Sequence, residues 1–418
     1  MRNLVRSTFA CSTMLIAALC PSLVAADLCV NRAHNSGCYA KIAEAVSAAS
    51  PYDIIRVSPG EYDEQVTISK PLSLIGSGYY RTSIDAAGQS NGIYINGLDN
   101  PGLKHVVVKG FKVERARFEG ILITNATAVT IAENHVVNND RNLNFSSHVC
   151  PGLPNFETAE DDDCGEGIHL VGVDHSIISE NVVERNAGGI LLSDETGSTH
   201  HNLITKNTVR DNPFDCGITL ASHPPAPFAG TAPLGIHHNT ISGNHSLRNG
   251  ANGDGAGVGI FGFLPNAMNY SNVVVRNTVI GNTLPGVTIH SHSPGARFDD
   301  NLIVGNRISR NGADNEDAET PGPTGINAFG ASPLTGTVIA QNVIDHEAVS
   351  VAVRTPATVE VHLNTFLDDT IGVDNLGDGD VDATENWWAC PAGPGGGQGC
   401  ATVGGPRVTA VPFSTTPF

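Results

Sequence analysis

The feature that most constrains this chain is a tetrapeptide, G-I/V-x-I/L. It returns with its glycine at Gly92, Gly120, Gly167, Gly189, Gly217, Gly257 and Gly286, and in a looser form at Gly325. Between copies runs a second signature, N-x-(V/I)-x-x-N. Its bounds are Asn134/Asn139, Asn181/Asn186, Asn207/Asn212, Asn239/Asn244, Asn277/Asn282 and Asn306/Asn311, with weaker echoes from Asn342 and Asn364. The copies at Gly167, Gly189 and Gly217 lie 22 and 28 residues apart, a period that belongs to stacked repeats. Each apolar tetrapeptide is too short to bury its side chains alone, so it must lie on the next copy. Stacked strands place equivalent residues about 4.8 Å apart. An Asn repeated at one turn can then form a ladder of amides bonded to one another and to the turn backbone. The Ile and Leu of each copy point inward, and the x residue and the residue after Leu point outward. No helical period appears over residues 90–385. The expectation is one elongated solenoid of parallel β coils.

The ends read differently. Arg2 and Arg6, an apolar run from Met14 to Leu19 and Val24-Ala25-Ala26 have the form of an export signal over 1–26. In 39–49, Ile42, Ala45, Val46 and Ala49 share one helical face, which predicts one short capping helix. Apolar runs at 54–57, 66–68 and 72–75 are separated by turn residues and read as strands. The main body spans 27–385, and 386–418, rich in Gly and Pro after Glu385-Asn-Trp-Trp, is expected to cap the solenoid. The formal charge of −19 argues against nucleic acid and anionic membrane surfaces as partners. No apolar run is long enough to cross a bilayer. Of nine cysteines, two fall in the signal. Cys29/Cys38, Cys150/Cys164 and Cys390/Cys400 are close enough in sequence to be local disulfides of an oxidising compartment. Cys216 is left over and reads as a small buried hydrophobe, with metal ligand or nucleophile as the other reading.

The residues between the second Asn and the next glycine are few in some coils and many in others. Insertions at 140–166, 245–256 and 313–324 enter at one place in the repeat, and 224–234 leaves from the opposite edge. Loops on both edges of one sheet predict a groove with the outward face of the G-I-x-L sheet as its floor.

The alternation of the two signatures resembles the right-handed parallel β-helix proteins. So do Ile42-Ala-Glu-Ala-Val, Ile55-Arg-Val-Ser-Pro-Gly-Glu-Tyr and the terminal Glu385-Asn-Trp-Trp. The resemblance covers about residues 27–418 and is nearest to the secreted branch often labelled NosD-like. It implies an all-β fold: a single-stranded right-handed parallel β-helix with a short N-terminal helix. Relatives of this architecture include pectate lyases, polygalacturonases, alginate lyases and epimerases, and proteins that help mature a periplasmic copper enzyme. The polygalacturonase set of N-T-D, D-D, H-G and R-I-K does not occur in order. The basic residues of a pectate lyase and the tyrosine-bearing epimerase motif are also missing.

Counting outward positions from each glycine places chemistry on the floor. His169, Thr219, Thr288 and Asn327 fall two residues on; Phe261, His290 and Phe329 four; Glu195, His223, Phe263 and His292 six. In register, Glu195 stands beside His223, with Asp194 adjacent, and His290 lies between Phe261 and Phe329. A carboxylate next to an imidazole orients it and favours its charged form. Asp194, Glu195, Asp215, His223, His290 and His292 are therefore the candidate catalytic groups. Glu166, His169, Phe261, Phe263 and Asn327 are the candidate substrate-binding groups. The expected activity is that of an exported polysaccharide lyase or glycoside hydrolase, with His223→Ala abolishing turnover at little cost in melting temperature. The alternative is a non-catalytic carbohydrate- or metal-binding protein of the NosD-like type. The acidic stretches 157–166, 314–319 and 378–382 are read as solvated loops, with Ca2+ the ion they could hold. His223, His290 and His292 could instead bind Cu or Zn.

Overall fold

The computed structural model describes residues 25–33, 37–158, 164–226, 234–262, 264–316 and 319–418. The export signal read over 1–26 therefore lies almost wholly outside the described residues. The rest is a right-handed parallel β-helix. Each coil gives one short strand to each of three parallel sheets, which hold 14, 12 and 12 strands. The coil after Gly167 runs through Ile168–Val171, Ile177–Ser179 and Val182–Glu184; the next runs through Ile190–Ser193, Leu203–Thr205 and Thr208–Arg210. Register in the G-I-x-L sheet is unbroken over its central coils: Ile168 pairs with Ile190, Ile190 with Ile218, Ile218 with Val258, and Val258 with Val287. The inward Ile and Leu of each copy, such as Ile168, Leu170, Ile190 and Leu192, are wholly buried in one continuous core. Stacking alone buries them, which is why strands of three to five residues suffice.

The asparagines form ladders, and there are three rather than the two that N-x-(V/I)-x-x-N suggests. One runs Asn134, Asn181, Asn207, Asn244, Asn277, Asn306, Asn342, Asn364, Asn386, each side-chain amide donating to the next Asn carbonyl oxygen at 2.9–3.1 Å. A second runs Asn139, Asn186, Asn212, Asn249, Asn282, Asn311. A third, at another corner, joins Asn202, Asn239, Asn272 and Asn301. The residue before a ladder Asn is commonly left-handed, as at Glu180 (φ 57°), Lys206 (56°) and Arg276 (55°). That conformation costs about 1–2 kcal/mol in a non-glycine residue. The hydrogen bonds that each ladder Asn makes to its neighbour and to backbone carbonyls offset it.

The second ladder ends on acids. Asn311 donates its backbone N–H and side-chain amide to Glu347, whose own N–H donates to Asp369. Burial, against the pull of the Asn311 bonds, pushes Glu347 up to about 8, and burial pushes Asp369 up to about 7. A carboxyl raised in the folded state favours folding below its ordinary pKa and loses that contribution as pH rises through the raised value. Melting temperature should therefore fall as pH climbs through about 8. Glu347→Gln, neutral throughout, should flatten that fall in a calorimetric pH series. An unaltered slope would remove Glu347 as its cause.

At the N-terminus the helix is Ile42–Ala48, with Ile42, Ala45 and Val46 buried. The carboxylate of Glu64 accepts the first N–H groups, those of Ile42 and Ala43. At the other end, Trp387–Trp388, Thr402–Gly404 and Val408–Thr409 supply the last strand of each sheet. Trp388 is wholly buried, edge-on to Phe366 at 5.2 Å. The disulfides are Cys29–Cys38, Cys150–Cys164 and Cys390–Cys400. Cys216 is the free thiol. It is buried among Leu191, Ala221, Ala256 and Phe261, and its sulfur accepts the Ala256 N–H. Burial pushes the thiol well up, as for an inert core cysteine.

Candidate active site

The outward face of the G-I-x-L sheet is not an open floor. His169, Leu191, Ser193, Thr219, Thr288 and Asn327 are all buried. Phe156 of the 140–166 insertion and Ala226 of the 224–234 insertion meet over Leu122 and Val171. Leu143, Cys150 and Cys164 pack with Phe118, Ala187 and Phe214. The insertions roof the sheet instead of standing beside it, because they carry apolar side chains that need cover as much as the sheet does. Val173, an outward position by simple alternation, is in the core; the chain turns at Gly172, where φ is 64°.

Under this roof lies a polar chain. Glu195 Oε1 and His223 Nδ1 are 2.8 Å apart, as the register predicted. Glu195 also accepts the Thr158 N–H at 3.3 Å and bonds to Ser193. Ser193 Oγ is 2.7 Å from His169 Nε2, and His169 Nδ1 is 3.5 Å from Glu119. Burial works to raise Glu195, but the His223 charge and hydrogen bond outweigh it and hold the carboxyl down at about 2. Asp194 lies on the other side of the strand end, accepting the Ser222 hydroxyl at 3.0 Å and the His223 N–H at 2.9 Å. There burial dominates and Asp194 is pushed up to about 6. The two adjacent carboxyls are thus driven in opposite directions, a pattern that separates acid and base roles.

Asp194 and His223 line a cleft of about 430 Å³, bounded on the other side by Met268, Gly295 and Arg297. The Arg297 guanidinium lies 3.6 Å from the Tyr270 ring centroid and pairs with Asp299 at 3.1 Å. No motif marks Arg297 in the sequence. It sits outside the repeat strands, and only the loop path carries it to the cleft.

The remaining candidates fall elsewhere. Asp215 accepts its neighbour's N–H at Cys216 and is not among the residues lining the cleft. His290 and His292 form a second group two coils away, 4.2 Å apart by ring centroid, with Asp314 3.7 Å from His290 Nδ1. His290 does stand between Phe261 and Phe329, at 6.0 and 5.1 Å. Phe261 is no sugar platform: it packs into the apolar cluster around Cys216, its ring filling the space where Gly259 lacks a side chain. Phe263 lies outside the described residues. Asn327 is buried and donates to Thr288. Glu166 is buried at φ 70° against Gly188 and is not among the residues lining the cleft.

Two features were not read from the sequence. Glu119 precedes Gly120 as Glu166 precedes Gly167, and that shared E-G-I was the available signal. The second is a surface stack of rings: His175 on His201 on His238, and His200 on His237 on Tyr270, each pair at 4.9–5.0 Å. Among the described residues, two groups of three could hold a metal: Glu119, Glu157 and His169, and the surface set Glu61, Asp63 and Asp85. Of the acidic loops read as Ca2+ ligands, Glu160, Asp161, Asp162, Asp163 and Asp317 lie outside the described residues, and Asp378 pairs with Arg407.

A family model described as a right-handed beta helix region matches residues 81–262. Among solved structures, the chain is similar to ORF18 of Geobacillus virus E2, at 13% identity over 81% of this chain and 57% of that one, with a TM-score of 0.52. It is similar to the Dettilon tailspike protein gp208 at 16% identity over 87% and 63%, with a TM-score of 0.52. It is also similar to pectate lyase Pel9A at 14% identity over 94% and 80%, with a TM-score of 0.49. The chain thus spans 57% and 63% of the length of the first two. None of the curated proteins matches. At these identities the likeness is one of fold.

Proposed function

We propose that this right-handed parallel β-helix protein cleaves a uronate-containing polysaccharide by β-elimination at the cleft bounded by Asp194, His223 and Arg297. The observation that carries the reading is the convergence of three unlike groups on one cleft: an imidazole held by Glu195, a carboxyl poised near neutrality and a guanidinium. Elimination needs a base at C5, a cation to neutralise the uronate carboxylate and an acid at the leaving oxygen. His223 takes the C5 proton, with Glu195 stabilising the imidazolium. The C4–C5 double bond forms as the C4–O bond breaks, and Asp194 protonates the departing oxygen. Arg297 offsets the charge gathering on the carboxylate. Glycoside hydrolysis is less well served, because it needs two carboxyl groups across the bond and Asp194 is the one carboxylate among the described residues lining the cleft. The three disulfides favour an exported protein. Among the described residues, no helix is long and apolar enough to cross a membrane.

The test is a panel of polyuronates and neutral glycans, read by the ultraviolet absorbance of the unsaturated product and by reducing ends. Absorbance should rise on a polyuronate. Asp194→Asn should lower that rate about 10²–10⁴-fold, the worth of a general acid. In the wild type, kcat should decline as pH rises through about 6, where Asp194 loses its proton. Reducing ends without the absorbing product would make the protein a hydrolase. Saturable oligosaccharide binding without turnover would make it a binding protein.

A further inference from the structure

Glu119, Glu157 and His169 come from three parts of the chain. Glu119 precedes the strand Ile121–Thr124, His169 lies on the next strand, Ile168–Val171, and Glu157 comes from the inserted roof. One ligand atom of each lies within 4.8 Å of the others. Glu119 and His169 are buried, and neither Glu119 Oε1 nor His169 Nδ1 has a hydrogen-bond partner. Both have their other polar atom engaged. Glu119 Oε2 accepts the Asn91 amide, and His169 Nε2 meets Ser193 Oγ at 2.7 Å.

These outer contacts set the chemistry inside. With the Ser193 oxygen accepting at 2.7 Å, His169 carries its proton on Nε2. In the neutral imidazole that leaves Nδ1 with a lone pair. It then faces a lone pair of Glu119 Oε1 at 3.5 Å. A buried carboxylate needs a compensating charge, and among the described residues Glu119 has no ion pair with Lys or Arg. The 3.5 Å gap is too wide for a hydrogen bond by ordinary geometry. It matches the edge of a tetrahedron whose metal–ligand bonds are about 2.0–2.2 Å.

We propose that Glu119, Glu157 and His169 form a binding site for a borderline divalent transition ion of the Zn2+ class, which fastens the 140–166 roof to the sheet. One imidazole nitrogen and two carboxylate oxygens suit such an ion better than Ca2+, which takes six to eight oxygens. Asn91 and Ser193 are the outer partners that orient the ligands. The ion joins the roof at Glu157, and the Cys150–Cys164 disulfide closes the same loop.

The full chain is stripped with chelator, titrated with Zn2+ alone and read by metal content and melting temperature. The expected result is one tightly held Zn2+ per chain and a melting temperature that rises with Zn2+. Glu157→Gln, on the roof and outside the coils, should abolish both effects while the far-ultraviolet dichroism stays unchanged. Ser193→Ala should weaken binding by about ten- to a hundredfold. A His200→Gln/His237→Gln variant of the surface ring stack should bind as the wild type does. Absence of stoichiometric Zn2+ in the folded wild type would overturn the proposal. So would Zn2+ retained by both Glu157→Gln and His169→Gln. These readouts do not involve turnover, so the site stands or falls apart from the activity proposed at the cleft.

Discussion

His223→Ala should reduce polyuronate cleavage by at least the 10²–10⁴-fold that a general base supplies, and it should also lower the melting temperature. The second half departs from the sequence-based expectation of unchanged stability, and the reason is burial. Glu195 and His223 each have side chains about 2% exposed, so removing the imidazole strands a carboxylate under the roof. Breaking one side of a buried pair costs about 3–5 kcal/mol. A double variant, Glu195→Gln/His223→Gln, leaves no charge to strand. It should recover most of the lost melting temperature and none of the turnover. Initial rates and calorimetry on the two variants separate the roles. Turnover that persists in His223→Ala would dismiss His223 as the base. A double variant as unstable as the single one would mean that packing, not charge, sets the cost.

Asn207→Ala should be among the most damaging single changes in the ladders. Asn207 Oδ1 accepts the Asn181 N–H and side-chain amide, both at 3.0 Å. Its own amide donates to Ile178 O at 2.8 Å and to Asn244 Oδ1 at 3.0 Å. Alanine leaves the buried Asn181 N–H and the Ile178 carbonyl without these partners, at about 1–3 kcal/mol for each stranded group. Lost packing and the left-handed Lys206 before it add to this. A loss of about 3–5 kcal/mol is expected in urea unfolding, where a solenoid carries such damage to the neighbouring coils. A loss under about 1 kcal/mol would show that water or backbone rearrangement replaces the ladder.

The ladders also show what was legible. Asn134 to Asn311 in N-x-(V/I)-x-x-N carry two corners of each coil in plain sequence. The third corner, Asn202, Asn239, Asn272 and Asn301, keeps the same N-x-(V/I)-x-x-N spacing, five residues before Asn207, Asn244, Asn277 and Asn306; only Asn239 was read there, because one pattern serves two different pairs of corners and does not tell them apart. Within the site, the Glu195–His223 pair was legible because both residues sit the same number of positions after a repeat glycine, and parallel register carries such positions side by side. His290 between Phe261 and Phe329 was legible for the same reason. Phe261 as a sugar platform was a misreading, since alternation shows which face a side chain takes and not whether that face is wet. Arg297 follows no repeat rule and was invisible to one, whereas Glu119 shares the position before a repeat glycine with Glu166.

The sequence by itself determined the coil, the strand register, the disulfide pairs and the asparagine corners. All are local or nearest-neighbour consequences of a repeat, and equivalent positions must stack. Only the tertiary structure decided where the inserted loops go. Residues 140–158 and 164–166 fold across the sheet rather than beside it, because apolar loop residues gain by covering apolar sheet residues wherever they can reach. That choice, absent from any period, buries His169 and Glu195, brings Glu157 to Glu119, and leaves Asp194, His223 and Arg297 at a cleft.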